Sequence, residues 1–346
     1  MNTHKLSCLW LGGTCFLLWI MVMLGGVTRL THAGLSIVEW QPLTGILPPL
    51  NDQAWQKLFQ LYQQYPEYQK VHSHMGLNDF KFIFWLEYAH RLLGRLIGFF
   101  FVIPLLVLWR HLSASFKKRS IVALVLGLLQ GCVGWYMVKS GLVKDPVVSP
   151  YRLTLHLSLA FFLYGWIFWM LLDQVYGPYP TKNITKQKPY LIVCGIQILA
   201  MVYGGLVAGH KAGLFYNTFP FMEGQWLPSE WAFYTPLWLN FVKNGATVQW
   251  LHRTLALTSC IAVLVCWIFR YQHTNKKWLT AWLTTSLMQV CLGVLTLLYQ
   301  VPVVLGVAHQ GCAILVLTTG LTVLHSTSCK TIAFRASFKS FNLRYL

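Results

Sequence analysis

Long apolar runs alternate with shorter polar stretches along the whole chain. A spanning helix needs about 20 mainly apolar residues. Eight windows meet that length, at about 7–26, 82–108, 120–138, 151–172, 190–208, 246–269, 278–299 and 303–325. Together they predict an all-α integral membrane protein with eight transmembrane helices. A cleaved signal peptide is the alternative for the first run, because Lys5 precedes it. The run is as long as a span, however, and leads into Gly25-Gly26-Val27-Thr28-Arg29 rather than an Ala-x-Ala-like exit.

Composition sharpens this picture. Of 346 residues, 56% are hydrophobic and 10% are charged, the latter roughly half the share in an ordinary soluble domain. A water-soluble globule is excluded. The formal charge of +18 raises the question of a nucleic-acid partner, but the basic residues form no single patch. With the N-terminus inside, the inner segments hold Lys5, the cluster from Arg110 to Arg119, the lysines at 182–188, Arg270 with Lys276 and Lys277, and the basic C-terminal stretch. The outer segments are longer and carry fewer. This positive-inside bias places both termini on the cytoplasmic side or its organellar equivalent and makes anionic lipid headgroups the partner of the basic clusters. The nine cysteines fall mostly inside the windows, and the outer loops at 27–81 and 209–245 have none. They read as small apolar packing residues rather than a disulfide framework.

The chain repeats itself. Gly25-Gly26 with Ala33-Gly34-Leu35 matches Gly204-Gly205 with Ala212-Gly213-Leu214, and Glu87-Tyr88-Ala89-His90-Arg91 matches Gln249-Trp250-Leu251-His252-Arg253. Gln130, Cys132 and Gly134 match Gln289, Cys291 and Gly293, and His156 matches His309. The matches keep their order while the offset shrinks steadily, as shortened loops in the second half would produce. An even number of spans separates the halves, so both enter the membrane from the same side. The expected architecture is two parallel-repeat four-helix bundles: 1–172, an inner linker at 173–189, and 190–346.

Most of the twelve histidines lie in loops or at helix ends. His72 and His74 in the first outer loop could pick up a metal, but no third ligand accompanies them. His90, His156, His252 and His309 differ, because each sits inside a span that begins on the outer side. At about 1.5 Å per residue, they lie roughly 8–12 Å below the outer ends of their windows. An imidazole in hydrocarbon needs a partner, and four at repeat-related positions need a common one. Two imidazoles on facing helices can approach one iron from opposite faces of a porphyrin, which gives one heme site per half. Four interhelical hydrogen bonds are the alternative. No Cys-x-x-Cys-His occurs, so the heme is not covalently attached. Arg91 and Arg253 each follow a helical histidine. Either guanidinium suits a propionate, and either equally suits headgroups or loop carbonyls.

The symmetry is broken at one place. Glu87, three residues before His90, is the only carboxylate within the spans at histidine depth, and its repeat partner is the neutral Gln249. An intramembrane glutamate is expensive. The N-terminal site is therefore expected to carry out chemistry with Glu87 moving protons or stabilising charge, while the C-terminal heme stores or relays electrons. Alternatively, Glu87 pairs with Arg91 at i+4 and braces the site.

These residues resemble the heme A synthase family over nearly the whole chain. The resemblance rests on Gly25-Gly26-Val27-Thr28-Arg29-Leu30-Thr31 with Ala33-Gly34-Leu35-Ser36, on Phe80-Lys81-Phe82-Ile83, on Glu87-Tyr88-Ala89-His90-Arg91, and on Gly134-Trp135-Tyr136-Met137-Val138-Lys139-Ser140-Gly141-Leu142. Tyr151-Arg152-Leu153 with His156, and His309-Gln310, complete it. It implies oxidation of a ring methyl of heme O to a formyl group, giving heme A for terminal oxidases. His90 and His156 would flank the substrate heme, Glu87 would act in catalysis, and His252 and His309 would ligate a resident heme B. A subset of the family has a cysteine pair in the first outer loop; its absence here places the chain nearer the mitochondrial and proteobacterial type. The implied location is a bacterial or mitochondrial inner membrane. The implied partners are heme O and the enzyme supplying it, an electron acceptor of unknown identity and, in a homo-oligomer, further copies of the chain; a nucleic acid is not among them. The rival readings are a b-type di-heme electron-transfer cytochrome and a heme carrier or transporter.

Overall fold

A computed structural model describes residues 3–40, 44–143, 146–178, 184–270 and 274–326. Eight helices in it are long and apolar enough to cross a membrane. They are α1 (Thr3–Leu30), α4 (Leu77–Leu108), α5 (Ala114–Lys139), α6 (Pro150–Tyr176), α7 (Ile184–Gly209), α9 (Gly245–Arg270), α10 (Lys276–Leu298) and α11 (Val303–Ser326). Three shorter helices, α2 (Asp52–Gln63), α3 (Pro66–Lys70) and α8 (Asn240–Lys243), belong to the two large loops.

The long helices overrun their apolar windows because their ends are capped by polar groups outside the hydrocarbon. α4 begins at Leu77, ahead of the window at 82, with the Asp79 carboxylate accepting the Gly76 N–H at 3.2 Å. α5 begins at Ala114, ahead of 120, with Ser113 accepting the Phe116 N–H at 3.3 Å. α1 runs straight through Gly25-Gly26 to Leu30, and its threonines Thr28 and Thr31 bond back to the carbonyls of Leu24 and Val27.

Burial separates centre from rim. A third of the apolar window is buried in α1, α6 and α7, and 39% in α11, against 17% in α4, α9 and α10 and 6% in α5. The first four form the centre: α1 packs on α4, α6 and α11, and α7 packs on α9, α6 and α11. The outer helices show side chains such as Ile103, Leu106, Leu128, Ile261 and Phe269 on their free faces, the surface a lipid-facing helix presents. Every described cysteine is free.

Small residues permit the central contacts. A Cβ on Gly26 would come within 3.5 Å of Val307 on α11, and one on Gly205 within 3.2 Å of Thr154 on α6. Gly26 and Gly205 are matched in the repeat. At the C-terminal end of α6 Asp173 accepts from Arg119 of α5 at 2.5 Å and from the fully buried His325 of α11 at 2.8 Å.

Candidate functional site

Each of the four helical histidines rests against a glycine of a neighbouring helix. A Cβ on Gly25 of α1 would lie 3.2 Å from His90 Nε2, and one on Gly204 of α7 would lie 3.0 Å from His252 Cε1. A Cβ on Gly134 of α5 would lie 2.9 Å from His156 Cε1, and one on Gly293 of α10 would lie 2.9 Å from His309 Cε1. A side chain at any of these positions would press on the ring, so glycine is what lets each imidazole stand this close to the next helix. The pairs Gly25/Gly204 and Gly134/Gly293 are matched positions of the repeat, as are the histidines they cradle.

The structure brings His252 and His309 together, ring centres 6.3 Å apart and planes at 86°. His90 and His156 lie within electrostatic range of each other. All four rings are half-buried. His252 Nδ1 donates to the Ala200 carbonyl at 2.8 Å, which leaves Nε2 of the neutral ring as the lone-pair nitrogen. Among the described residues, Nδ1 of His156 and Nδ1 of His309 have no hydrogen-bond partner. Gln130 Nε2 stands 3.4 Å from His156 Nε2 and donates to the His156 carbonyl at 3.0 Å, and Gln289 Nε2 stands 3.4 Å from His309 Nε2.

This donor set fits a heme. A porphyrin brings four nitrogens of its own and asks the protein only for axial ligands; His156 and His309 each keep Nδ1 without a partner among the described residues, and His252 keeps its Nε2 lone pair. An ordinary metal ion asks for more. No group of three or more His, Cys, Asp or Glu side chains that could hold one occurs among the described residues. His72 is engaged elsewhere, its Nδ1 lying 2.8 Å from the Tyr62 hydroxyl.

Glu87 is 3% exposed, and four donors converge on it. Ser36 Oγ and the Ile37 N–H reach Oε2 at 2.7 and 2.8 Å, and Arg91 Nη2 and Nε reach Oε1 at 2.7 and 3.1 Å. The i+4 pairing read from the sequence is therefore present, together with a loop that closes over the carboxylate. Gln249 is equally buried, at 2%. Its Nε2 donates to the Tyr216 carbonyl at 3.0 Å, and its Oε1 is buried without a partner among the described residues.

The two arginines hold their loops in the same way. Arg91 donates to the carbonyls of Ile37 and Glu39 at 2.8 and 3.3 Å, and Arg253 to those of Tyr216 and Thr218 at 2.7 and 2.8 Å. Of the three uses the sequence allowed them, loop carbonyls are the one visible here. Arg253 Nε is buried with no partner among the described residues.

The sequence reading passed over a second acid. The first large loop folds as α2 and α3 onto α4, around Trp55, Tyr62, Phe80, Ile83 and Phe84. Within that packing Glu67 is 3% exposed and accepts from the Tyr62 hydroxyl at 3.4 Å. Burial, and next the Glu87 charge, push its carboxyl up to about 8. Its signal was local: Pro66 at the first helical position and Glu67 in the first turn announce a short helix, yet only the folded loop shows the acid to be buried.

The chain matches the COX15-CtaA family model, described as cytochrome oxidase assembly protein, over residues 8–321. It is 44% identical over 337 residues to a protein of Paramagnetospirillum magneticum named heme A synthase, covering 94% of each chain. It is 44% identical over 333 residues to one of the same name from Nitrosospira multiformis, covering 93% of each. A third, from Parvibaculum lavamentivorans, is 41% identical over 327 residues, covering 94% of each. With the eight spans, the paired histidines and these near-full-length matches together, the chain belongs to the COX15-CtaA family of cytochrome oxidase assembly proteins.

Proposed function

We propose that this protein is a heme A synthase, an oxidoreductase that converts a ring methyl of heme O to a formyl group. Its relatives of that name align over nearly the whole chain. The observation that carries the reading within the molecule is one substitution in an otherwise matched setting: Glu87 stands where the other half has Gln249, while the histidines, their glycines and the loop-holding arginines recur.

In this reading residues 1–172 form the reacting half and 190–346 the supporting half, joined on the inner side by 173–189. His90 and His156 hold the substrate heme O. His252 and His309 hold heme B, which when bound supplies one-electron storage and relay. Glu87, fixed by Ser36, Ile37 and Arg91, presents a carboxylate able to take or return a proton beside the substrate. The surrounding helices keep bulk water from the reacting carbon. Arg91 and Arg253 brace the outer loops, and Arg253 Nε remains as a donor for a carboxylate such as a propionate. The membrane is a bacterial or mitochondrial inner membrane, with both termini on the cytoplasmic or matrix side. The partners are the enzyme supplying heme O and an electron acceptor.

The test is co-expression with a source of heme O, followed by chromatography of the extracted hemes. Heme B together with heme A or residual heme O is expected. Two hemes of one kind in fixed ratio, with no heme A, would make the protein a di-heme cytochrome instead.

A further inference from the structure

Glu67 is an unusual side chain to find in an outer loop. It is 3% exposed, beside a fully buried Tyr62, and its carboxylate takes no part in any ion pair among the described residues. A carboxylate used only to brace a loop would be expected to face water or a cation.

Its neighbours form a line toward the surface. Tyr62 lies between Glu67 and His72, with its hydroxyl 3.4 Å from Glu67 Oε2 and 2.8 Å from His72 Nδ1. His72 is half-buried and meets the exposed His32 edge-on, ring centres 6.4 Å apart. On the inward side Glu67 and Glu87 lie within electrostatic range of each other. The titratable and charged groups facing this line are Tyr68 and Glu87 toward Tyr62, His32 and His74 toward His72, and Arg29 and Lys211 toward His32. The second large loop sets the neutral Asn240 and Asn244 over Gln249's half, both buried and bonded mainly to backbone carbonyls and N–H groups.

We propose that Glu67, Tyr62 and His72 form a proton exit leading from the Glu87 site to the outer surface. The proposal rests on the synthase reading, because removing hydrogen from a methyl carbon leaves protons in a site closed to water. The outward direction follows from where the protons arise, and the resting states show which group carries one. Glu67 holds its proton at neutral pH, since burial raises its carboxyl to about 8. His72 is neutral there, since burial and then the neighbouring His32 and His74 lower it. Once Glu67 carries a proton the 3.4 Å contact reverses, with the Glu67 O–H donating to the Tyr62 oxygen and the Tyr62 hydroxyl turned to His72 Nδ1. The Glu67 carboxyl then gives its proton to the Tyr62 oxygen as the Tyr62 hydroxyl gives its own to His72 Nδ1, and His72 releases one from Nε2 to water. Glu67 then takes the next proton from the Glu87 side. No direct hydrogen bond joins the two carboxylates among the described residues, so transfer between them requires an intervening donor such as a single water. Only O–H and N–H bonds change, and one proton leaves for each that enters. Glu67 and Tyr62 act through Glu87 and are positioning residues rather than catalytic ones.

The test uses the full chain in membranes supplied with heme O, comparing the parent with Glu67→Gln and Tyr62→Phe. Heme content is read from the Soret band and heme A formation is followed against pH. Both variants should bind heme like the parent, form heme A about tenfold more slowly or worse, and lack the pH inflection expected of the parent. Glu67→Asp should recover part of the rate. Parent-like rate and pH profile in Glu67→Gln would overturn the proposal. Should Glu67→Gln fail to accumulate, Tyr62→Phe, which keeps the ring stacked on Phe80, decides by the same criteria. A parent that makes no heme A overturns the synthase reading instead, so the two failures are distinguishable.

Discussion

Arg91 grips Glu87 through two nitrogens, 2.7 and 3.1 Å from Oε1, and the same guanidinium ties down the carbonyls of Ile37 and Glu39. The acid beside the first histidine pair is thus part of the loop closure above it. Glu87→Gln keeps the size of the side chain and removes its proton-accepting charge. It should bind heme like the parent while heme A formation falls by about 100-fold or more, the usual scale for losing an acid–base group. Normal heme A production by this variant, measured by chromatography of extracted hemes, would exclude a catalytic role.

The two histidine pairs should separate by what they release. If His252 and His309 hold a resident heme as proposed, His252→Ala and His309→Ala should each cost the purified protein Soret absorbance even without heme O. His90→Ala with His156→Ala should leave that absorbance and remove only heme O or heme A from the extract. Retention of both chromophores in the latter double variant would refute the assignment.

The glycines give a graded version of the same test. At Gly134 and Gly293 a Cβ would meet the imidazole at 2.9 Å, whereas at Gly25 the gap is 3.2 Å. Gly134→Ala and Gly293→Ala should therefore shift the rings, each at a cost of about 1–3 kcal/mol, and Gly25→Ala should be milder. The readout is a displaced Soret maximum: Gly293→Ala should move that of the resident heme, and Gly134→Ala only that of protein loaded with heme O. Identical spectra in all three variants would show that the glycines do not set the ring positions.

The spans were legible in the sequence because hydrocarbon demands long apolar runs whatever their neighbours. The pairing of His252 with His309 was legible because the repeat marked both. The contacts of Arg91 and Arg253 were not, because headgroups, propionates and loop carbonyls suit a guanidinium equally until the loop is folded. The two carbonyls chosen, at 37 and 39 and at 216 and 218, hold equivalent places in the repeat. Glu67 escaped for a related reason. Its burial comes from α2 and α3 folding back on Phe80 and Phe84, a contact written in neither local propensity nor hydropathy.

That buried acid should show in the stability of the first large loop. Glu67 has an ordinary carboxyl value of 4.5 when the loop is open and about 8 when it is closed. Between those values the closed loop holds a proton that the open loop has lost, so closure weakens as pH rises through this window and levels off above about 8. His72 and His32 are lowered by burial and act oppositely, strengthening closure as pH rises toward the ordinary histidine value of 6.5 and levelling off above it. The parent's pH dependence mixes the two effects, but the difference between parent and Glu67→Gln isolates the acid. Amide hydrogen exchange across residues 52–70 should show the variant gaining protection relative to the parent as pH rises toward 8. A difference that stays constant with pH would mean that Glu67 titrates as an ordinary, solvated carboxylate.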